Sequence, residues 1–287
     1  MKYMRLISAL LTAMFCVAAV TADDKTSGNV KTEENSVYLK YVQWGDEAVE
    51  RQKWEDAMEY YREAMRLEPS SPQNVMLLSN VGMIQHYIGE DSLALHTLSE
   101  ARAIAPASVV ILKNRARVLT AMGRIDDALN DYATLIKMDS TFADAYYDRA
   151  AIELRRGNLD KAMDDASHFV RLKPADAGGK LLMAVIYSNS GRPADAVPLY
   201  TELIRIKPEA VYYSARAMCR LALEELQDAS DDIALGLELD PEDGELYYCR
   251  AFLNILRYRE EDAKADAVKA VSLGVDPRRV EMLFQGK

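Results

Sequence analysis

From Val37 to about Leu273, apolar residues return at three- and four-residue steps, the period of helices that bury one face. The stretch from Asp144 to Arg156 shows it well, with Tyr146, Ala150 and Leu154 one turn apart. Gly157 follows, and Leu159, Ala162, Met163, Ala166, Phe169 and Val170 then resume the spacing as far as Pro174. A glycine supplies the left-handed residue that ends a helix, and a proline cannot extend one without losing a backbone hydrogen bond. The pattern therefore predicts a helix, a short break and a second helix. The same punctuation recurs: Gly89, Gly123 and Gly191 match Gly157, while Pro69, Pro106, Pro208 and Pro241 match Pro174, with Ser140 and Val275 in the remaining proline slots. Pro198 is the irregularity, since it falls inside a predicted helix, where it costs about 3 kcal/mol away from the first turn and implies a kink.

A longer period lies over the helical one. Seven times a small residue is followed twelve positions later by alanine, as Gly45/Ala57, Gly82/Ala94, Ala116/Ala128, Ala150/Ala162, Ala184/Ala196, Ala217/Ala229 and Ala251/Ala263. Successive alanines stand 37, 34, 34, 34, 33 and 34 residues apart. A period near 34 predicts a tandem array of helical hairpins, each too small to bury its own apolar face and each completed by its neighbours. The expected repeats run over 38–71, 75–108, 109–142, 143–176, 177–209, 210–243 and 244–275. The small residues are expected where the two helices of a hairpin cross, position 8 facing position 20, so that the axes approach to about 8–10 Å. Leucine at Ala162 or Ala196 would overpack that crossing at a cost of about 1–3 kcal/mol.

These residues resemble the tetratricopeptide repeat family. Repeat one supplies the family pattern with Tyr41, Gly45, Ala57, Tyr61, Ala64 and Pro69, and repeat four with Tyr146, Ala150, Ala162, Ala166, Phe169 and Pro174. Repeats six and seven are looser, with Ile233 and Ala267 where an aromatic is usual. The resemblance implies an all-α fold, a right-handed superhelical α-solenoid of about fourteen helices whose first helices line a concave groove. Past the last repeat, Asp276-Pro277 reads as a helix N-cap and first position, and Val280, Leu283 and Phe284 form a short apolar stripe. The segment 276–287 is expected to be a capping helix that seals repeat seven.

Ahead of the repeats, Lys2 and Arg5 precede an apolar run from Leu6 to Val20, and Val20-Thr21-Ala22 offers a small-x-small cleavage site. This is the layout of a secretory signal peptide over 1–22. Residues 23–36 are polar and are expected to be a disordered linker. Export to a bacterial periplasm is the resulting expectation, with peripheral association with the envelope and secretion as further options.

Net charge is −10, and a leader carrying Lys2 and Arg5 but no acidic residue takes it to −12 when removed. A surface this acidic repels phosphate backbones, so nucleic acid is not an expected partner. Behind the leader only Cys219 and Cys249 remain; they read as two small buried hydrophobes, with a disulfide as the alternative. His86, His96 and His168 are scattered over three repeats, and the sequence holds no zinc, phosphate-loop or nucleophile motif. Asp240 to Gly244 fails as a calcium loop, because Glu245 stands where glycine is needed and Ala251 where glutamate is. The expectation is therefore a non-enzymatic protein with no cofactor and no metal.

The family points positions 2, 5, 6, 9 and 12 of each first helix into the groove. By that resemblance the peptide-binding face would comprise Lys113, Asn114 and Arg117 of repeat three, Asp144, Tyr147 and Asp148 of repeat four, and Leu181, Val185, Tyr248 and Phe252 further on. Lys113 and Arg117 would hold a carboxylate, Asn114 and Tyr147 would bind peptide backbone, and the apolar half would receive side chains. A plainer account of the same cations is that they pair with Asp144 and Asp148. The expected function is a protein–protein interaction scaffold or adaptor that captures a polypeptide segment. The rivals are a glycan- or cell-wall-binding module using Tyr147, Tyr248 and Phe252, and a non-catalytic subunit of an envelope complex.

Overall fold

The computed structural model describes residues 31–285, with side chains from Val37 onward. The proposed leader over 1–22 lies outside the described residues, as do positions 23–30 of the expected linker; from Lys31 that linker is helical, continuous with the first repeat helix.

The described residues form fifteen helices and no strand. They are α1 (Lys31–Glu50), α2 (Trp54–Leu67), α3 (Asn74–Tyr87), α4 (Asp91–Ile104), α5 (Val109–Ala121), α6 (Ile125–Met138), α7 (Ala143–Arg155), α8 (Leu159–Leu172), α9 (Ala177–Asn189), α10 (Pro193–Ile206), α11 (Ala210–Ala222), α12 (Leu226–Leu239), α13 (Gly244–Leu256), α14 (Glu260–Ser272) and α15 (Pro277–Gln285). The fold class is all-α, a tandem series of hairpins, each odd-numbered helix from α1 to α13 packing on the even-numbered one that follows. The chain forms two compact units that divide within α7, over 31–148 and 149–285.

The breaks between hairpin helices fall where backbone geometry demands them. Gly89, Gly123, Gly157 and Gly191 all have φ between 68° and 86°, in the left-handed region. Three repeats lack the glycine and force another residue into that conformation: Gln52 at 56°, Glu224 at 63° and Tyr258 at 59°. For an L-residue this costs about 1–2 kcal/mol. Helix α10 runs through Pro198 without a break. Pro198 and Ala194 are both exposed, so the carbonyl one turn back that loses its partner can take a hydrogen bond from water.

The small positions are tight, but against a different residue from the one expected. A Cβ built on Gly45 would stand 2.4 Å from Cε1 of Tyr61, and one on Gly82 would stand 2.7 Å from Cγ of Leu98. The crossing is thus closed by the large residue one turn beyond the alanine, while Ala57 and Ala94 are themselves fully buried. Tyr61 is locked there by its hydroxyl, which donates to Asp46 Oδ1 at 2.6 Å.

Four repeats tie their two helices together with an arginine and an aspartate sixteen residues apart, a register that hydrophobic periodicity does not reveal. Arg149 donates through Nε and Nη2 to Asp165 at 2.7 Å each. Arg216 and Asp232 repeat the fork at 3.0 and 2.6 Å, as do Arg250 and Asp266. Arg115 and Asp131 make the same pair through one bond of 2.6 Å. The aspartates are buried, so each pair holds a hairpin in register and cannot lose one member without stranding the other. In repeat five Met183 and Leu199 fill these positions, and in repeat one Trp44 and Tyr60.

At the C-terminal end, Asp276 Oδ1 accepts from the Arg278 N–H at 2.9 Å and starts α15, which buries Val280 against Ala251, Ala267 and Ala270 of repeat seven. Cys219 and Cys249 are free and buried. Cys219 Sγ lies 3.3 Å from Ser188 Oγ, and the Cys249 thiol faces the Ser214 carbonyl at 3.4 Å. Burial pushes both thiols up from their ordinary range.

Candidate functional site

The first helices of repeats two and three, with the entry to that of repeat four, enclose a cleft of about 240 Å³ within the unit over 31–148. Its lining is Asn80, Met83 and Tyr87 of α3, Val109, Val110, Lys113, Asn114 and Arg117 of α5, and Phe142 and Asp144 at the start of α7. Helical spacing explains why these meet: Lys113, Asn114 and Arg117 lie within one turn on one face of α5, opposite Ile111, Leu112, Ala116, Val118 and Leu119, which are buried.

The polar groups of the cleft are positioned. Lys113 Nζ donates to Asp144 Oδ2 at 2.8 Å and stands 5.9 Å from the Phe142 ring centroid. Asn114 Nδ2 donates to the Ser79 hydroxyl at 3.0 Å, and Ser79 is fully buried. Among the described residues Arg117 has no hydrogen-bond or ion-pair partner, so its guanidinium presents its donors to the cleft. Asp148, one turn beyond Asp144, is half-buried by surface area yet hemmed in by protein. Burial pushes its carboxyl up to about 6, against the pull of Lys113 and Arg117. Tyr87 carries the cleft outward, its ring stacked on Trp54 with centroids 5.7 Å apart and planes 9° from parallel.

Four of the residues named from sequence therefore line one cleft: Lys113, Asn114, Arg117 and Asp144. Tyr147 and Asp148 sit on the next turn of α7 and are half-buried. The plainer account of the cations holds for Lys113, which does pair with Asp144. Leu181 and Val185 do not form an open apolar surface. They are buried at 4% and 9% exposure, packed with Tyr200, Leu203, Ala215 and Cys219, because the neighbouring hairpins close over that side of α9. Tyr248 lies beneath the Arg279 guanidinium, 4.6 Å from its ring centroid, and Arg279 is held by two bonds to Glu245 at 2.7 and 2.9 Å. Phe252 is half-buried against the core of repeats six and seven. Helix α15 and hairpin packing thus cover much of what was expected to be an aromatic half-groove, and the glycan reading loses Tyr248 as a platform. Sequence reasoning did not name Asn80 and Tyr87 of the α3 wall, because repeat two lacks charged residues at these positions.

The histidines are engaged locally. His86 Nδ1 meets Asp91 Oδ1 at 2.6 Å, His96 pairs with Glu100 at 3.4 Å, and His168 Nδ1 lies 2.9 Å from the Asp164 carbonyl. Among the described residues no cluster of three or more potential metal ligands occurs, and no helix is long and apolar enough to cross a membrane.

The chain is similar to tetratricopeptide repeat proteins in sequence and in structure. Profiles of the tetratricopeptide repeat match residues 113–177 and 181–210. A tetratricopeptide repeat protein from Parabacteroides merdae superposes with a TM-score of 0.64 at 26% identity, covering 87% of this chain and 98% of its own. PilF of Pseudomonas aeruginosa gives 0.64 at 17% identity, over 76% of this chain and 98% of its own. YrrB, a TPR protein with an unusual peptide-binding site, gives 0.55 at 17% identity, over 66% and 97%. No curated protein matches. The fold is that of a tetratricopeptide repeat solenoid, a class of protein-interaction scaffold.

Proposed function

We propose that the chain is an exported, non-catalytic scaffold that captures a polypeptide segment in the α3–α5–α7 cleft. The observation that carries this reading is the Arg117 guanidinium, with no hydrogen bond among the described residues, beside two side-chain amides and an apolar wall. An acidic group of the ligand pairs with Arg117, and Asn114, oriented by Ser79, offers its carbonyl oxygen to a ligand backbone N–H. Met83, Val109, Val110 and Phe142 receive an apolar side chain. Asp144 neutralises Lys113, and Asp148, ionised above about pH 6, offsets much of the Arg117 charge, so the cleft favours an apolar segment in which one acidic group can take the Arg117 donors. The peptide site attributed to YrrB is consistent with the same general use of the fold.

Labelled peptides with acidic-apolar, neutral and basic sequences, titrated by fluorescence anisotropy, test the reading. The acidic-apolar set should bind, and Lys113→Glu/Arg117→Glu should weaken it by about tenfold or more while circular dichroism stays unchanged. Unchanged affinity in the folded double variant would show that the cleft is not the site. Export is tested separately by the mass of the mature protein recovered from the cell envelope, which should begin at Asp23.

A further inference from the structure

Two cations on α5 face two carboxylates on α7. Lys113 and Arg117 are one turn apart on the first helix, and Asp144 and Asp148 one turn apart on the second. Had both rungs of this ladder closed, the cleft would hold two internal ion pairs and no charge for a ligand. Only the first is closed, by the 2.8 Å bond from Lys113 Nζ to Asp144 Oδ2. Across the second, Arg117 and Asp148 attract each other, yet among the described residues they form neither a hydrogen bond nor an ion pair.

The two members of the open rung are placed differently. Arg117 lines the cleft, whereas Asp148 is not part of that lining. The hydroxyl of Tyr132, a buried residue of α6, is hydrogen-bonded to the Asp148 carboxylate. The charged and titratable groups that face Asp148 are thus Lys113 and Arg117 from α5, Tyr132 from α6 and Asp144 on its own helix. A buried carboxylate requires a cation in contact or a proton. Asp148 has no cation in contact, and burial pushes its carboxyl up to about 6.

We propose that capture at this cleft is coupled to a proton on Asp148: the ionised carboxylate holds back the Arg117 charge, and the protonated carboxyl yields that charge to an acidic group of the ligand. The inference rests on the cleft being the peptide site. A ligand carboxylate seated on Arg117 adds a third negative charge beside Asp144 and Asp148, so it favours the protonated form of Asp148. By reciprocity, protonation of Asp148 tightens the ligand. Affinity for an acidic segment therefore rises as pH falls through about 6. An aspartate on the ligand ordinarily titrates near 4 and stays ionised over that range.

An acetylated acidic-apolar peptide with one aspartate and no histidine, titrated into the full chain by isothermal calorimetry, tests the coupling. If the bound carboxylate raises the proton affinity of Asp148 about tenfold, the peptide should bind about fivefold tighter at pH 5.5 than at pH 7.5. Binding at pH 6.5 should take up about half a proton, seen as a dependence of the heat on the ionisation enthalpy of the buffer. Asp148→Asn should bind at both pH values about as tightly as the parent does at pH 5.5. Should that variant lose helicity, Asp148→Ser removes the carboxyl instead. A parent affinity that does not rise at pH 5.5, or a rise that persists without the Asp148 carboxyl, overturns the proposal and leaves peptide capture standing. Absence of binding at either pH overturns both.

Discussion

Replacing Arg216 by methionine tests whether the arginine–aspartate pairs hold the hairpins in register. The Arg216 side chain is 10% exposed and that of Asp232 1%, so deletion of the guanidinium strands a buried carboxylate. Breaking a buried pair from one side costs about 3–5 kcal/mol. Asp232 keeps one bond from Arg220 Nη1 at 2.7 Å, which places the expected loss at the lower end, about 3 kcal/mol. The hydrogen bond to Thr201 goes as well, a further loss of about 1 kcal/mol or less because that hydroxyl can turn to water. The double variant Arg216→Met/Asp232→Leu reproduces the Met183/Leu199 pair of repeat five and removes both charges together. It should recover only part of the loss, because removing Asp232 also takes from the part-buried Arg220 its bond of 2.7 Å. Urea denaturation followed by circular dichroism gives the free energies. Hydrogen exchange of α11 and α12 shows whether opening is local, as nearest-neighbour stability in repeat arrays requires. A single variant within about 0.5 kcal/mol of the parent would refute the reasoning, that being the scale of an ordinary surface change.

Other outcomes follow from the same structure. Asp148 titrates near 6 in the folded chain against 3.8 in its absence, so the folded state holds a proton that the unfolded state releases. Its contribution to stability is therefore most favourable below about pH 4 and declines as pH rises through 6, by on the order of 1–3 kcal/mol. Asp148→Asn should accordingly stabilise the protein at pH 7.5 and not at pH 4, which paired urea titrations would reveal; equal effects at both would remove the assignment. Gly45→Ala should destabilise by about 1–3 kcal/mol through the Tyr61 ring, measured by thermal melting, with no change in the melt counting against the contact. Tyr258→Gly should stabilise by about 0.5–1 kcal/mol, relief of left-handed strain exceeding the added freedom of the unfolded chain. A loss of stability there would mean that the exposed tyrosine makes a contact worth more than its strain.

The repeat was legible because its cause is local and periodic. Small residues at fixed spacing, left-handed glycines and closing prolines each act within a hairpin, so the order of residues alone determined the all-α hairpins and their boundaries. The start of α1 reads differently, since propensity says little about where a helix begins. Tertiary structure decided everything that depends on which surface a neighbour covers. Leu181 and Val185 carry the same apolar signal whether they line a groove or fill a core, and only packing made them core. Tyr248 became covered because α15 sends Arg279 across it. The register that pairs Arg216 with Asp232, and the exposed rings that stand in its place on repeat one, link residues on different helices. A one-dimensional hydrophobic period cannot encode such pairings, because it records which face is buried and not what lies against it.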